Sequence, residues 1–136
     1  MKTLIVDDNA TDRKLLQIML RPYGTSDTAV DGNDALRAID GAIAGGQPYD
    51  LVCLDIKMPN MDGQAALRAI RDAESRRGVA AGQGVKVVMM TCLNDKLNVI
   101  TAFREQCDGY LVKPVERKKL SGVLEKLGLV EAAQSR

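Results

Sequence analysis

The chain has no histidine, no tryptophan and a single phenylalanine. Without histidine, imidazole acid–base catalysis, the usual His-containing metal sites and a phosphohistidine donor role are excluded. Only three tyrosines join that phenylalanine, so the core must be aliphatic. Cysteine is scarce as well. Cys53, Cys92 and Cys107 are odd in number and lack CxxC spacing. That argues against a disulfide framework or a zinc site and fits a reducing, cytoplasmic setting. An excess of either charge is also missing. Nineteen basic and eighteen acidic residues leave a net +1, which gives no bulk reason for nucleic-acid or membrane binding. The apolar run near Met1 is too short for a signal peptide, and no stretch approaches a membrane span.

What is present is alternation. A chain of 136 residues suits one domain. Thr3–Val6 predicts a strand, and about Thr11 to Arg21 a helix capped by Asn9 or Thr11, with Leu15, Leu16, Met19 and Leu20 inward. A short, weak strand follows at Thr25–Val30. Asp31-Gly32-Asn33 leads into a helix carrying Ala35, Leu36, Ile39 and Ile43, stopped by Gly45-Gly46. Leu51–Leu54 is the third strand, and Gly63 to about Glu74 the third helix. Val85–Met90 is an unbroken apolar run, expected to be central and covered on both faces. Asn94 to Glu105 predicts a fourth helix, Tyr110–Val112 a fifth strand, and Val115 to Leu127 a fifth helix with Leu120, Val123, Leu124 and Leu127 inward. Five βα units imply an α/β fold, a parallel sheet with helices on both faces. The expected division is one domain over residues 1–128 and a frayed tail over 129–136, with a long, mobile connection at Ser75–Gly84.

The polar residues that stand out all follow strands. Asp7-Asp8 follows the first, Asp55 the third, Thr91 the fourth and Lys113 the fifth. In open parallel sheets, ligands bind beyond the carboxyl ends of strands. Like charges gather there when a cation or a reaction uses them. Three acids and one lysine suggest a magnesium-dependent phosphoryl acceptor. Each residue alone has a plainer reading. Asp7-Asp8 suits a helix start, Asp62-Gly63 a turn and cap, Thr91 an ordinary strand end. Tyr110 suits a core position, Arg117-Lys118-Lys119 a solvated helix face, and Cys53 and Cys107 small packing positions.

Together, Asp7-Asp8, Asp55, Met58-Pro59-x-Met61-Asp62-Gly63, Thr91, Tyr110 and Lys113-Pro114 closely resemble the receiver domain of two-component response regulators, over about Lys2 to Leu127. The resemblance implies a flavodoxin-like (βα)5 sheet of order 2-1-3-4-5. It implies Asp55 as phosphoacceptor, and Mg2+ held by Asp7, Asp8, Asp55 and the Lys57 carbonyl. Thr91 and Lys113 would assist acceptance and slow hydrolysis. The chain would not be an enzyme beyond catalysing its own phosphorylation and dephosphorylation. The donor would be a sensor histidine kinase or histidine phosphotransfer protein. The expected form is a stand-alone regulator, monomeric or weakly dimeric, with no direct nucleic-acid output. It would signal to a protein target through the fourth helix, fifth strand and fifth helix, with Lys96, Val99, Tyr110, Arg117 and Lys118 as readout positions. Three departures stand out. Cys92 replaces a smaller residue and narrows access to the site. Gln106 stands where the family usually places glycine. The connection before the fourth strand is longer than usual.

Rival readings fit the residues less well. A flavodoxin-like cofactor binder needs an uncharged loop after the first strand, where Asp7-Asp8-Asn9 would repel phosphate. A haloacid-type phosphatase expects a second acid two residues beyond the nucleophile, where this chain has Lys57. A receiver-like interaction module that works without phosphorylation has no use for the complete set of acids and lysine.

Overall fold

The computed structural model describes residues 1–58, 61–80, 82–92 and 107–130. Five strands form one parallel sheet: β1 (Lys2–Val6), β2 (Thr25–Ala29), β3 (Leu51–Asp55), β4 (Lys86–Cys92) and β5 (Gly109–Lys113). Their order is β2-β1-β3-β4-β5, so the chain reverses direction across the sheet between β1 and β3. Four helices cover it among the described residues: α1 (Ala10–Leu20), α2 (Gly32–Ala44), α3 (Gly63–Arg76) and α4 (Arg117–Lys126). The last of these is the fifth helix expected from sequence. The expected helix from Asn94 to Glu105 lies outside the described residues.

The strand alternation divides the core into two halves. Leu4, Val6, Val52, Leu54, Val87 and Met89 pack with Ala35 and Ile39 of α2 and Ala66, Leu67 and Ile70 of α3. Ile5, Leu51, Cys53, Val88, Met90 and Leu111 pack with Leu16 and Leu20 of α1 and Leu120 and Leu124 of α4. Cys53 is therefore a packing residue, fully buried, and burial pushes its thiol up to about 12. The order is the one that the resemblance implies, with β3 in its middle place. β4 lies one place outward but is still buried on both faces from Val87 to Thr91. An apolar run reports coverage, and coverage does not distinguish the middle strand from its neighbour.

Helix starts follow side-chain chemistry. Asn9, Asp31 and Asp62 each cap a helix by accepting the backbone N–H three residues on. Such a cap contributes about 1 kcal/mol. Helix α1 runs straight into a 3-10 turn at Arg21–Tyr23, where Pro22 ends the α-helical hydrogen bonding. Leu15, expected inward, is 49% exposed. One 100° step from Leu16 carries it off the buried stripe, and periodicity alone does not fix where that stripe ends. Ile43, near the end of α2, is exposed as well. At the C-terminus, Gly128 adopts a positive φ of 72°, and the N–H of Leu129 returns to the Leu124 carbonyl at 3.0 Å. This left-handed turn folds Leu129 and Val130 onto the α1/α4 half of the core.

Candidate functional site

Every strand of a parallel sheet ends on the same side, and β1, β3 and β5 deliver charged groups there. Asp7 follows β1 directly and is fully buried. Its N–H extends the ladder to the Ala29 carbonyl at 3.1 Å. Its Oδ1 accepts from the Asn9 N–H at 2.9 Å, and its carbonyl accepts from Arg13 Nη1 at 2.8 Å. Asp8 next to it is exposed. Asp55 is the last residue of β3 and only 6% exposed. The Lys57 N–H reaches its Oδ1 at 3.4 Å. Just beyond, Gly63 opens α3 so close to the strand end that its N–H bonds the Ile56 carbonyl at 2.9 Å. A Cβ at position 63 would collide with the Asp55 carbonyl oxygen. Glycine is therefore required there by the close approach of helix to strand, in addition to its role in the turn.

Lys113 closes the site from the end of β5, where its peptide bond to Pro114 is cis. Its side chain spans the gap to β1 and β3. The ammonium lies 2.8 Å from Asp7 Oδ2, 3.2 Å from Asp12 Oδ2 and 3.4 Å from Asp55 Oδ2. Burial pushes the Asp55 carboxyl up to about 6; Lys113 offsets part of that shift and Asp7 adds to it. Burial alone would lower the Lys113 ammonium, but the hydrogen bond to Asp7 and the charges of Asp55 and Asp7 outweigh it and raise its pKa. One cation thus faces several acids in a partly desolvated cup. Carboxylate oxygens of Asp7, Asp8 and Asp55 come within 4.8 Å of one another. Hard oxygen donors at that separation, with open solvent beside Asp8, fit a small divalent cation such as magnesium.

Sequence reasoning placed Asp7, Asp8, Asp55 and Lys113 in one site, and the structure brings them together. Thr91 is buried at the end of β4, one residue beyond the register partner of Asp55, with its hydroxyl on the Cys92 carbonyl at 3.2 Å. Tyr110, which by itself reads as a core residue, is 40% exposed on the edge strand β5. Lys96, Val99 and Gln106 lie outside the described residues. One site residue escaped the sequence reading. Asp12 looks like an ordinary first-turn acid of α1, yet its carboxylate holds Lys113.

The response regulator receiver domain model matches residues 3–125. The chain belongs to the response regulator receiver family. The receiver is 36% identical over 129 residues to sensor histidine kinase GacS of Pseudomonas protegens, covering 92% of this chain and 13% of that protein. It is 32% identical over 128 residues to hybrid signal transduction histidine kinase L of Dictyostelium discoideum, covering 93% of this chain and 7% of that protein. The chain thus spans a small fraction of the kinases it matches. A solved neighbour is the Saccharomyces cerevisiae co-crystal of the histidine phosphotransfer protein Ypd1 with the receiver domain of its downstream response regulator Ssk1. It aligns with a TM-score of 0.78 and 27% identity, covering 98% of this chain and 92% of that one. The fold is a two-component receiver fold, and no described helix is long and apolar enough to cross a membrane.

Proposed function

We propose that this receiver accepts a phosphoryl group on Asp55 from the phosphohistidine of a sensor kinase or phosphotransfer protein. The observation that carries the reading is the Lys113 ammonium, bound at once to buried Asp7 and to Asp55 at the end of β3. An ionised Asp55 attacks phosphorus, an Oδ–P bond forms, and the donor's bond to phosphorus breaks with its electron pair leaving on the donor imidazole. The carboxylate needs no general base, which suits a chain without histidine. The difficulty is repulsion between anions, so fixed positive charge is what the site must supply. Lys113 supplies one charge. Asp7, Asp8, Asp55 and the Lys57 carbonyl would hold Mg2+, which when bound supplies the rest. Thr91 would donate its hydroxyl to a phosphoryl oxygen. Slow hydrolysis of the acyl phosphate would return the domain to rest.

The output reading is that the phosphorylated site remodels the surface around β5 and α4, where Tyr110, Arg117 and Lys118 are exposed, and that a protein target reads this face; Lys96 and Val99, expected to share in the readout, lie outside the described residues. The Ypd1 complex of the Ssk1 receiver supports a phosphotransfer protein as the class of donor. The test is incubation with acetyl phosphate and Mg2+ followed by intact-mass measurement. One phosphoryl group per chain, lost in Asp55→Asn and absent with chelator, is the expected result. Uptake that persists in chelator would remove the metal from the reading.

A further inference from the structure

The first turn of α1 has a missing hydrogen bond that matters. In a capping box the third helical residue turns its carboxylate back to the N–H of the cap residue. Here Asn9 caps by accepting the Asp12 N–H at 3.0 Å, but the Asn9 N–H is already taken by Asp7 Oδ1 at 2.9 Å. Asp12 is thereby released from its usual local role. Its Oδ2 instead lies 3.2 Å from Lys113 Nζ, across 101 residues of sequence. Asp12 is not part of the acid trio whose oxygens cluster within 4.8 Å. It holds the lysine from the first turn of α1.

We infer that Asp12 is a positioning residue that tethers Lys113 in the resting site and thereby slows phosphoryl acceptance. The inference rests on the phosphoacceptor reading of Asp55. An ammonium has three donors, and at rest two of them go to Asp7 and Asp12, while Asp55 lies 3.4 Å away as an ion pair. As the Oδ–P bond forms at Asp55 and the donor's bond breaks, the ammonium must turn toward the incoming phosphoryl oxygens. Asp7 is buried and fixed by the backbone, and Asp55 is the nucleophile. The Asp12 contact is the one that must yield. It is partly exposed, so it breaks at modest cost and acts as a brake on the rate, not as a block.

The experiment compares initial rates of phosphoryl uptake from acetyl phosphate with Mg2+ in wild type, Asp12→Asn, Asp12→Glu and Glu116→Gln. Asp12→Asn keeps the backbone cap and removes only the charge. It should accept roughly two- to fivefold faster, the range that a partly exposed ion pair permits. Asp12→Glu should stay near the wild-type rate. Glu116→Gln controls for a general field effect, because Glu116 is exposed at the start of α4 and caps nothing with its side chain. Its rate should not change. A second readout follows the Lys113 ammonium by 1H–15N correlation, where Asp12→Asn should speed its hydrogen exchange and Glu116→Gln should not. Equal acceleration by both neutral variants, or an ammonium signal indifferent to Asp12, overturns the tether. A wild type that takes up no phosphoryl group sinks the phosphoacceptor reading, and the tether falls with it. Uptake in wild type with an unchanged Asp12→Asn rate sinks the tether alone.

Discussion

Two carboxylate clusters in this molecule have similar composition and opposite character. One joins α3, the start of β4 and the turn before β5. There Arg71 donates through Nη1 to Glu74 Oε1 at 2.9 Å and the Val85 carbonyl at 2.8 Å, and through Nη2 to Asp108 Oδ2 at 2.9 Å. Both acids also take backbone donors: Val85 N–H to Glu74 Oε2 at 2.6 Å and Val87 N–H to Asp108 Oδ2 at 2.8 Å. Each acid thus binds both the guanidinium and a backbone N–H, which pins strand starts to helix. The other is the cup at the strand ends, where Asp7, Asp12 and Asp55 share one lysine and Asp8 faces water. It carries more acid than its cation can balance. The first arrangement is what stability alone selects. The second is what a site looks like when its missing positive charge is to come from outside.

The sharpest way to break this contrast is Asp55→Asn. If the cup is the phosphoacceptor site, that variant should lose magnesium-dependent phosphoryl uptake completely by intact mass. Stoichiometric uptake by the mutant would falsify the assignment. The same substitution at Asp108 should leave uptake in place.

Stability should respond in opposite directions in the two clusters. Arg71→Met strands Glu74 and Asp108, both partly buried, and should destabilise the domain by about 2–3 kcal/mol. Urea unfolding would show a lower midpoint with an unchanged slope. In metal-free protein, Asp55→Asn relieves crowding of acids and should stabilise by about 1 kcal/mol near neutral pH. A clear loss of stability in Asp55→Asn would mean that the cup is held together as the Arg71 cluster is.

A smaller effect lies in pH. The folded Asp55 pKa of about 6 lies above its ordinary value of 3.8. Between these values the native state binds more protons than the unfolded chain, so stability falls as pH rises through that window. Lys113 contributes the other way: its raised pKa gives stability present below its ordinary value, lost only when pH rises past its folded value. Metal-free wild type should therefore lose stability between about pH 4 and 6, and Asp55→Asn should lose less. Identical pH profiles for the two proteins would place the unfavourable proton linkage elsewhere.

The two clusters also differ in how far the sequence announces them. Asp7, Asp8, Asp55 and Lys113 each follow a short apolar run, and a strand end is a position that alternation can locate. Nothing local marks Arg71, Glu74 and Asp108. They sit in a helix and a turn among ordinary charges, and their partners are backbone groups of other elements. Asp12 falls between the two cases. Its place in a first turn is legible, but its choice of Lys113 over the Asn9 N–H depends on Asp7 having taken that donor.

By itself the sequence determined the class of fold, the five strands, the helix starts at Asp31 and Asp62, and which residues stand at strand ends; the choice of Asn9 over Thr11 as the first cap came from the structure. Those follow from local periods and caps, which act over a few residues. The tertiary structure decided that Leu15 faces water, that Leu129 and Val130 join the core, and that Lys113 is shared among three carboxylates. These depend on which surfaces meet. A lysine more than a hundred positions from Asp7 and Asp12 acquires its partners only when the parallel sheet brings the ends of β1, β3 and β5 to one side.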